Sequence, residues 1–138
     1  MAKEPKTRPT DASVEAFIDA VEDPRRREDA HAILALMRRV TNEEPVMWGP
    51  SIVGFGSYRA ADGKGAAWCR LGFSPRKANL VVYLIDGYEN RAAMLARLGK
   101  HKIGKSCLYL NKLADIDPKV LEDLVIDSWT EMARRYPC

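Results

Sequence analysis

The run Gly99-Lys100-His101-Lys102-Ile103-Gly104-Lys105-Ser106 satisfies G-x-x-x-x-G-K-[ST], the pattern of a phosphate-binding loop. That loop works because it leaves a strand and enters a helix, so backbone N–H groups and the positive helix end converge on phosphates. Here the order is reversed. An amphipathic stretch ends at Leu98, and the apolar run beginning at Ser106 reads as a strand. Gly99 then reads as the residue that closes the preceding helix in a left-handed conformation. The match is treated as coincidental, and no nucleoside triphosphatase is expected.

The charge of the loop does not vanish with the motif. Between residues 67 and 114, nine Lys and Arg residues stand against Asp86 and Glu89 alone, which makes this segment +7 in a chain of net charge +3. The balancing acids gather in the first and last helical stretches. A cluster of cations draws an anionic ligand or an acidic partner when its members converge. Arg76 and Lys77 follow one strand, whereas Lys100, Lys102, Lys105 and Ser106 precede another, so they converge if those strands are neighbours. The other reading is a solvated surface with internal ion pairs.

Three further groups invite chemistry. Trp48 sits between Pro45 and Pro50 and, with Phe73 and Tyr109, offers flat apolar walls for a pocket. The commoner role of such a Trp is a core plug or lid over a helix–sheet seam, with the pocket wall as the functional alternative. Glu15, Asp19 and Glu22 fall on one helix face at i, i+4 and i+7, an arrangement that attracts a hard cation only if a turn adds more oxygens. His31 and His101 have no second imidazole or thiolate at ligand spacing, so no zinc site and no cofactor are expected. No Ser or Cys sits in a nucleophile elbow with a base, and the chain carries no enzyme signature.

The elements that must position these residues follow from periodicity. Val14, Phe17, Ile18 and Val21 mark a first helix capped by Asp11 or Ser13. Asp23-Pro24 ends it and starts a second helix, whose buried stripe is Ala30, Ile33, Leu34, Met37 and Val40. Strands are expected over residues 51–58, 67–74, 80–85 and 106–110, with a turn on Asp62-Gly63. A short helix falls at 89–98, and Asp117-Pro118 opens the last one. The order ααβββαβα implies an α+β fold of two layers, a small, mostly antiparallel sheet covered by helices. Residues 1–12 read as a flexible tail, and 13–138 as a single domain.

Composition sets the outer limits. The 138 residues are 46% hydrophobic and 30% charged, enough for one buried core. The net +3 argues against an obligate nucleic-acid binder. No apolar run approaches the roughly 20 residues that span a bilayer, and no secretory signal opens the chain. Cys69, Cys107 and Cys138 are odd in number and lack C-x-x-C spacing. They imply structural thiols at the first two positions and a reduced, cytoplasmic setting.

Two stretches, Leu71-Gly72-Phe73-Ser74-Pro75-Arg76-Lys77-Ala78-Asn79-Leu80 and Leu98 through Tyr109, resemble the YdhG-like bacterial domain. Trp48-Gly49 and the opening helix pair fit the same family. The resemblance covers about residues 13–130 and implies an α+β fold in the wider frataxin-like grouping, some of whose members are described as iron chaperones. The expectation is therefore a cytoplasmic domain that binds rather than catalyses. Its ligand is a small anion, or its partner an acidic protein, held by Arg76, Lys77, Lys100, Lys102, Lys105 and Ser106 beside Trp48, Phe73 and Tyr109. The alternative is a metallochaperone role through Glu15, Asp19 and Glu22.

Overall fold

Helix starts obey their capping chemistry. Ser13 accepts from the Ala16 N–H and opens α1 (Val14–Asp19), so Ser13 and not Asp11 is the cap. Asp23 and Asp117 each accept an N–H two residues on, and each is followed by a proline whose missing N–H costs nothing there. They open α2 (Pro24–Thr41) and α4 (Pro118–Arg135). The shorter α3 spans Ala92–Leu98. These assignments come from a computed structural model that describes residues 9–59 and 67–137. The Asp62-Gly63 turn and most of the expected tail lie outside the described residues.

The strands are β1 (Pro9–Thr10), β2 (Val46–Trp48), β3 (Ile52–Phe55), β4 (Leu71–Pro75), β5 (Leu80–Leu84), β6 (Lys102–Ile103) and β7 (Cys107–Leu110). They form one open sheet in the order β1-β2-β3-β4-β5-β7-β6, with every neighbouring pair antiparallel. The fold is α+β, as the element order implies. Three strands go beyond that order: β1, β2 and β6. Pro9 and Thr10, placed by sequence in the tail, pair with Trp48 and Met47. Each of the three is only two or three residues long, too short for periodicity to register.

Strand alternation divides the sheet into two unlike faces. Val53, Phe55, Leu71, Phe73, Leu80, Val82, Leu84, Leu108 and Leu110 point to the helices and join the core residues of α1, α2, α3 and α4. Full burial of each such side chain contributes about 1.5–3 kcal/mol. The opposite face carries Trp48, Gly54, Gly72, Ser74, Val81, Tyr83, Cys107, Tyr109 and Lys102. Near β2 that face is closed by its own chain. The Trp48 and Trp68 rings meet edge to face at 5.8 Å, over the space that Gly54 leaves open.

Candidate functional site

The cations split into structural and free ones. Arg70 is buried, and its guanidinium donates to the carbonyls of Ser57, Met132 and Tyr136, closing the C-terminal end of α4. Arg91 is buried too, donating to Asp86 at 2.8 Å, Asp127 at 3.0 Å and the Gly87 carbonyl at 2.5 Å. Burial opposes the Arg91 charge, but the hydrogen bond and charge of Asp86 outweigh it and raise its pKa. Ser128 donates to the second Asp86 oxygen at 2.6 Å. Arg26, also buried, donates to the carbonyls of Arg76 and Asn111 and so fixes the turn after β4. The +7 of the central segment therefore overstates its available charge.

The remaining cations do not share one concavity. Arg76 and Lys77 line a cavity of about 400 Å³ at the α1–α2 corner, whose floor is Phe17, Val21 and Pro75 and whose rim includes Glu22 and Asp23. Lys105 and Ser106 line another of about 380 Å³ between α3 and the β6–β7 turn. Trp48 and Phe73 reach neither cavity. Phe73 is fully buried in the core and Trp48 is 2% exposed, so neither forms a pocket wall. The alternation expected over residues 67–74 does not hold: the strand begins at Leu71, residues 69–75 are all buried, and Cys69 packs beside Gly54 and Gly72 on the face away from the helices, so both faces of the sheet are packed where these two rings lie.

One subset does gather. The Val81–Tyr109 and Tyr109–Lys102 pairings place these three residues in a row across β5, β7 and β6, on the face away from the helices. Tyr83 and Cys107 are directly paired in the adjacent row. Arg76 folds back over this surface: its Nη2 donates to the Tyr83 hydroxyl at 2.5 Å, and its guanidinium carbon lies 6.0 Å from the centre of that ring. Burial raises the Tyr83 pKa, against the opposing influence of Arg76. The Tyr109 phenol is raised as well, chiefly by its hydrogen bond with Cys107. Both phenols thus stay protonated at neutral pH; Tyr109 gives its O–H to Cys107, whereas the Tyr83 hydroxyl accepts from Arg76 and keeps an O–H to donate.

Sequence alone does not single out Tyr83, because it stands inside the apolar run 80–85, which reads as buried on both faces. Its signal was the period of two: position 83 faces away from Leu80, Val82 and Leu84. Gly99 also differs from its expected form. Its φ is positive, but at +119° with ψ −155° it is not a left-handed helical cap. A Cβ there would lie 3.0 Å from Ile116 Cα and closer still to the Asp115 carbonyl oxygen, so the close approach of backbone requires glycine.

The acidic triad does not form. Helix α1 stops at Asp19, which leaves Glu22 beyond its end and off the shared face. Asp19 binds His31 Nε2 at 3.0 Å, whereas Glu22 borders the α1–α2 cavity. Among the described residues no group of three His, Cys, Asp or Glu side chains is placed to hold a metal ion. Cys69 is buried and Cys107 half-buried; burial pushes the Cys69 thiol up to about 12. No helix among the described residues is long and apolar enough to cross a membrane. Compared with protein-family models, curated proteins and solved structures, the chain matches none.

Proposed function

We propose that this protein is a binding module for a small anionic ligand, taken on the sheet face where Arg76, Tyr83, Tyr109 and Lys102 meet. One observation carries the reading. Arg76 is held over the Tyr83 ring by a phenol rather than by a carboxylate. Neither Arg76 nor Lys102 is in an ion pair among the described residues, although Arg38, Arg39, Arg91, Arg134 and Arg135 all are. A guanidinium has five N–H donors in a planar fork that matches a carboxylate or phosphate in two-point contact. The protonated Tyr83 phenol beside it adds a donor without adding charge.

The stretches that resemble the YdhG-like domain build the β4–β5 hairpin with its Arg76 turn and the β6–β7 hairpin with Lys102 and Tyr109. Membership of that family is part of the same reading. The role proposed for the site is recognition, through the Arg76 guanidinium and its neighbours.

Calorimetric titration with phosphate, pyrophosphate and citrate at low salt tests the proposal. Saturable binding to the native protein is expected, with Arg76→Gln weakening it about tenfold or more. Tyr83→Phe, which removes the hydroxyl that positions Arg76, is expected to weaken it less. Absence of binding by all three anions, or binding that Arg76→Gln and Lys102→Gln leave intact, overturns the reading.

A further inference from the structure

The two edges of the sheet are unlike. At one edge β1 carries Pro9, which has no N–H to offer. At the other, β6 has β7 on one side only. The Gly104 N–H donates to the Cys107 carbonyl at 2.8 Å. Bonded and non-bonded pairs alternate along an antiparallel ladder. With Gly104 and Cys107 bonded, Lys102 and Tyr109 form the next bonded pair, and Ile103 opposite Leu108 is non-bonded. The N–H and C=O of Ile103 therefore point outward from the sheet.

The side chains around this edge are as open as its backbone. Ile103 is 49% exposed, one of only two large apolar residues so exposed among the described ones. It borders the 380 Å³ cavity together with Ala92, Leu95 and Tyr88. Lys102 points to the opposite face of the sheet, beside Tyr109. Lys100, Lys102 and Lys105 lie within six residues, and none is in an ion pair among the described residues. Glu89 on the cavity wall is the unpaired acid nearby, and Asp86 is held by Arg91.

We infer that β6 accepts an extended acidic segment of a partner protein as an additional strand. The residue opposite Ile103 shares its face, so an apolar side chain there covers Ile103 and enters the cavity. Its neighbours point to the other face, where Lys102 favours aspartate or glutamate. The partner is thus a segment that alternates apolar and acidic residues, held by main-chain hydrogen bonds and selected by charge. A second copy of this chain is disfavoured, because two β6 edges side by side would bring Lys100, Lys102 and Lys105 of both copies together along one seam with no acid between them. Lysine on an edge strand repels basic and apolar strands while leaving room for an acidic one. This surface shares Lys102 with the sheet-face site but does not use the Arg76 fork, and it goes beyond the small-anion reading.

Fluorescence anisotropy with a short labelled peptide alternating glutamate and valine tests it. Saturable binding is expected. Ile103→Asp and Lys102→Glu are each expected to weaken it about tenfold, while Arg76→Gln leaves it unchanged. The same peptide methylated on alternate backbone nitrogens, which cannot complete the ladder on one edge, is expected to lose binding when the methyls face β6. No saturable binding, equal binding of a lysine–valine peptide, or full binding by both methylated registers overturns the proposal. So does retention of binding by Ile103→Asp, with circular dichroism confirming that the variant is folded. Loss of small-anion binding in Arg76→Gln with peptide binding intact separates this surface from the sheet-face site.

Discussion

Arg91 and Asp86 form an ion pair at 2.8 Å with side chains only 6% and 2% exposed, tying the start of α3 to the end of β5. A third residue, Asp127 on α4, closes the pair from outside at 3.0 Å. The three elements that wall the β6 cavity or back it thus meet at one guanidinium. Taking two charges out of water costs several kcal/mol per ion, and here the Gly87 carbonyl, Asp127 and the Ser128 hydroxyl supply the further hydrogen bonds that offset it.

Removing one partner is therefore worse than removing both. Arg91→Ala leaves the buried Asp86 carboxylate with Ser128 alone and is expected to cost about 3–5 kcal/mol. Arg91→Met combined with Asp86→Leu should recover much of that loss. Urea unfolding midpoints of the three proteins check this, and equal losses for the single and double variants would contradict it.

Gly54 is held by packing rather than by backbone angle. A Cβ at this position would lie 2.7 Å from Cys69 Cβ and closer still to Trp48 Cδ1. Gly54→Ala is expected to destabilise by about 1–3 kcal/mol and to shift the Trp48 ring toward solvent. A red-shifted tryptophan emission with a lower thermal midpoint is the expected result. An unchanged spectrum would mean that the ring does not fill this space.

Acid should act through Glu131. Its hydrogen bond with the Arg134 guanidinium, aided by Arg135, holds its carboxyl at about 2 against the ordinary 4.5. A lowered folded pKa means the contribution is complete above 4.5 and disappears as pH falls through about 2. Carbon-detected NMR titration of the Glu131 carboxyl should give a midpoint well below 4.5. Glu131→Gln should remove the stability change that belongs to this window.

Much of the fold was legible in the residues themselves. Asp23-Pro24 and Asp117-Pro118 announce helix starts because capping and φ restriction act within one turn. The core stripe of α2 identifies its buried face because the helix period is local geometry. The charge distribution was legible too, but not its use. Arg70, Arg26 and Arg91 count in sequence as cations like Lys102. Only tertiary contacts 62 and 66 residues away turn Arg70 into the closing group of α4, and a carbonyl 85 residues away fixes Arg26.

The site followed the same division. Sequence determined that Arg76 lies in the turn between two strands, Lys102 in a basic loop and Tyr109 on the strand after it, because residue type and strand period are fixed by the chain. Only the fold decided that β5 and β7 are neighbours, which sets Tyr109 beside Val81 and within reach of Arg76. It also buried Trp48 and Phe73, separated Lys77 from Lys105, and stopped α1 before Glu22. Strand order and packing depend on contacts between segments far apart in the chain, and no local pattern encodes those distances.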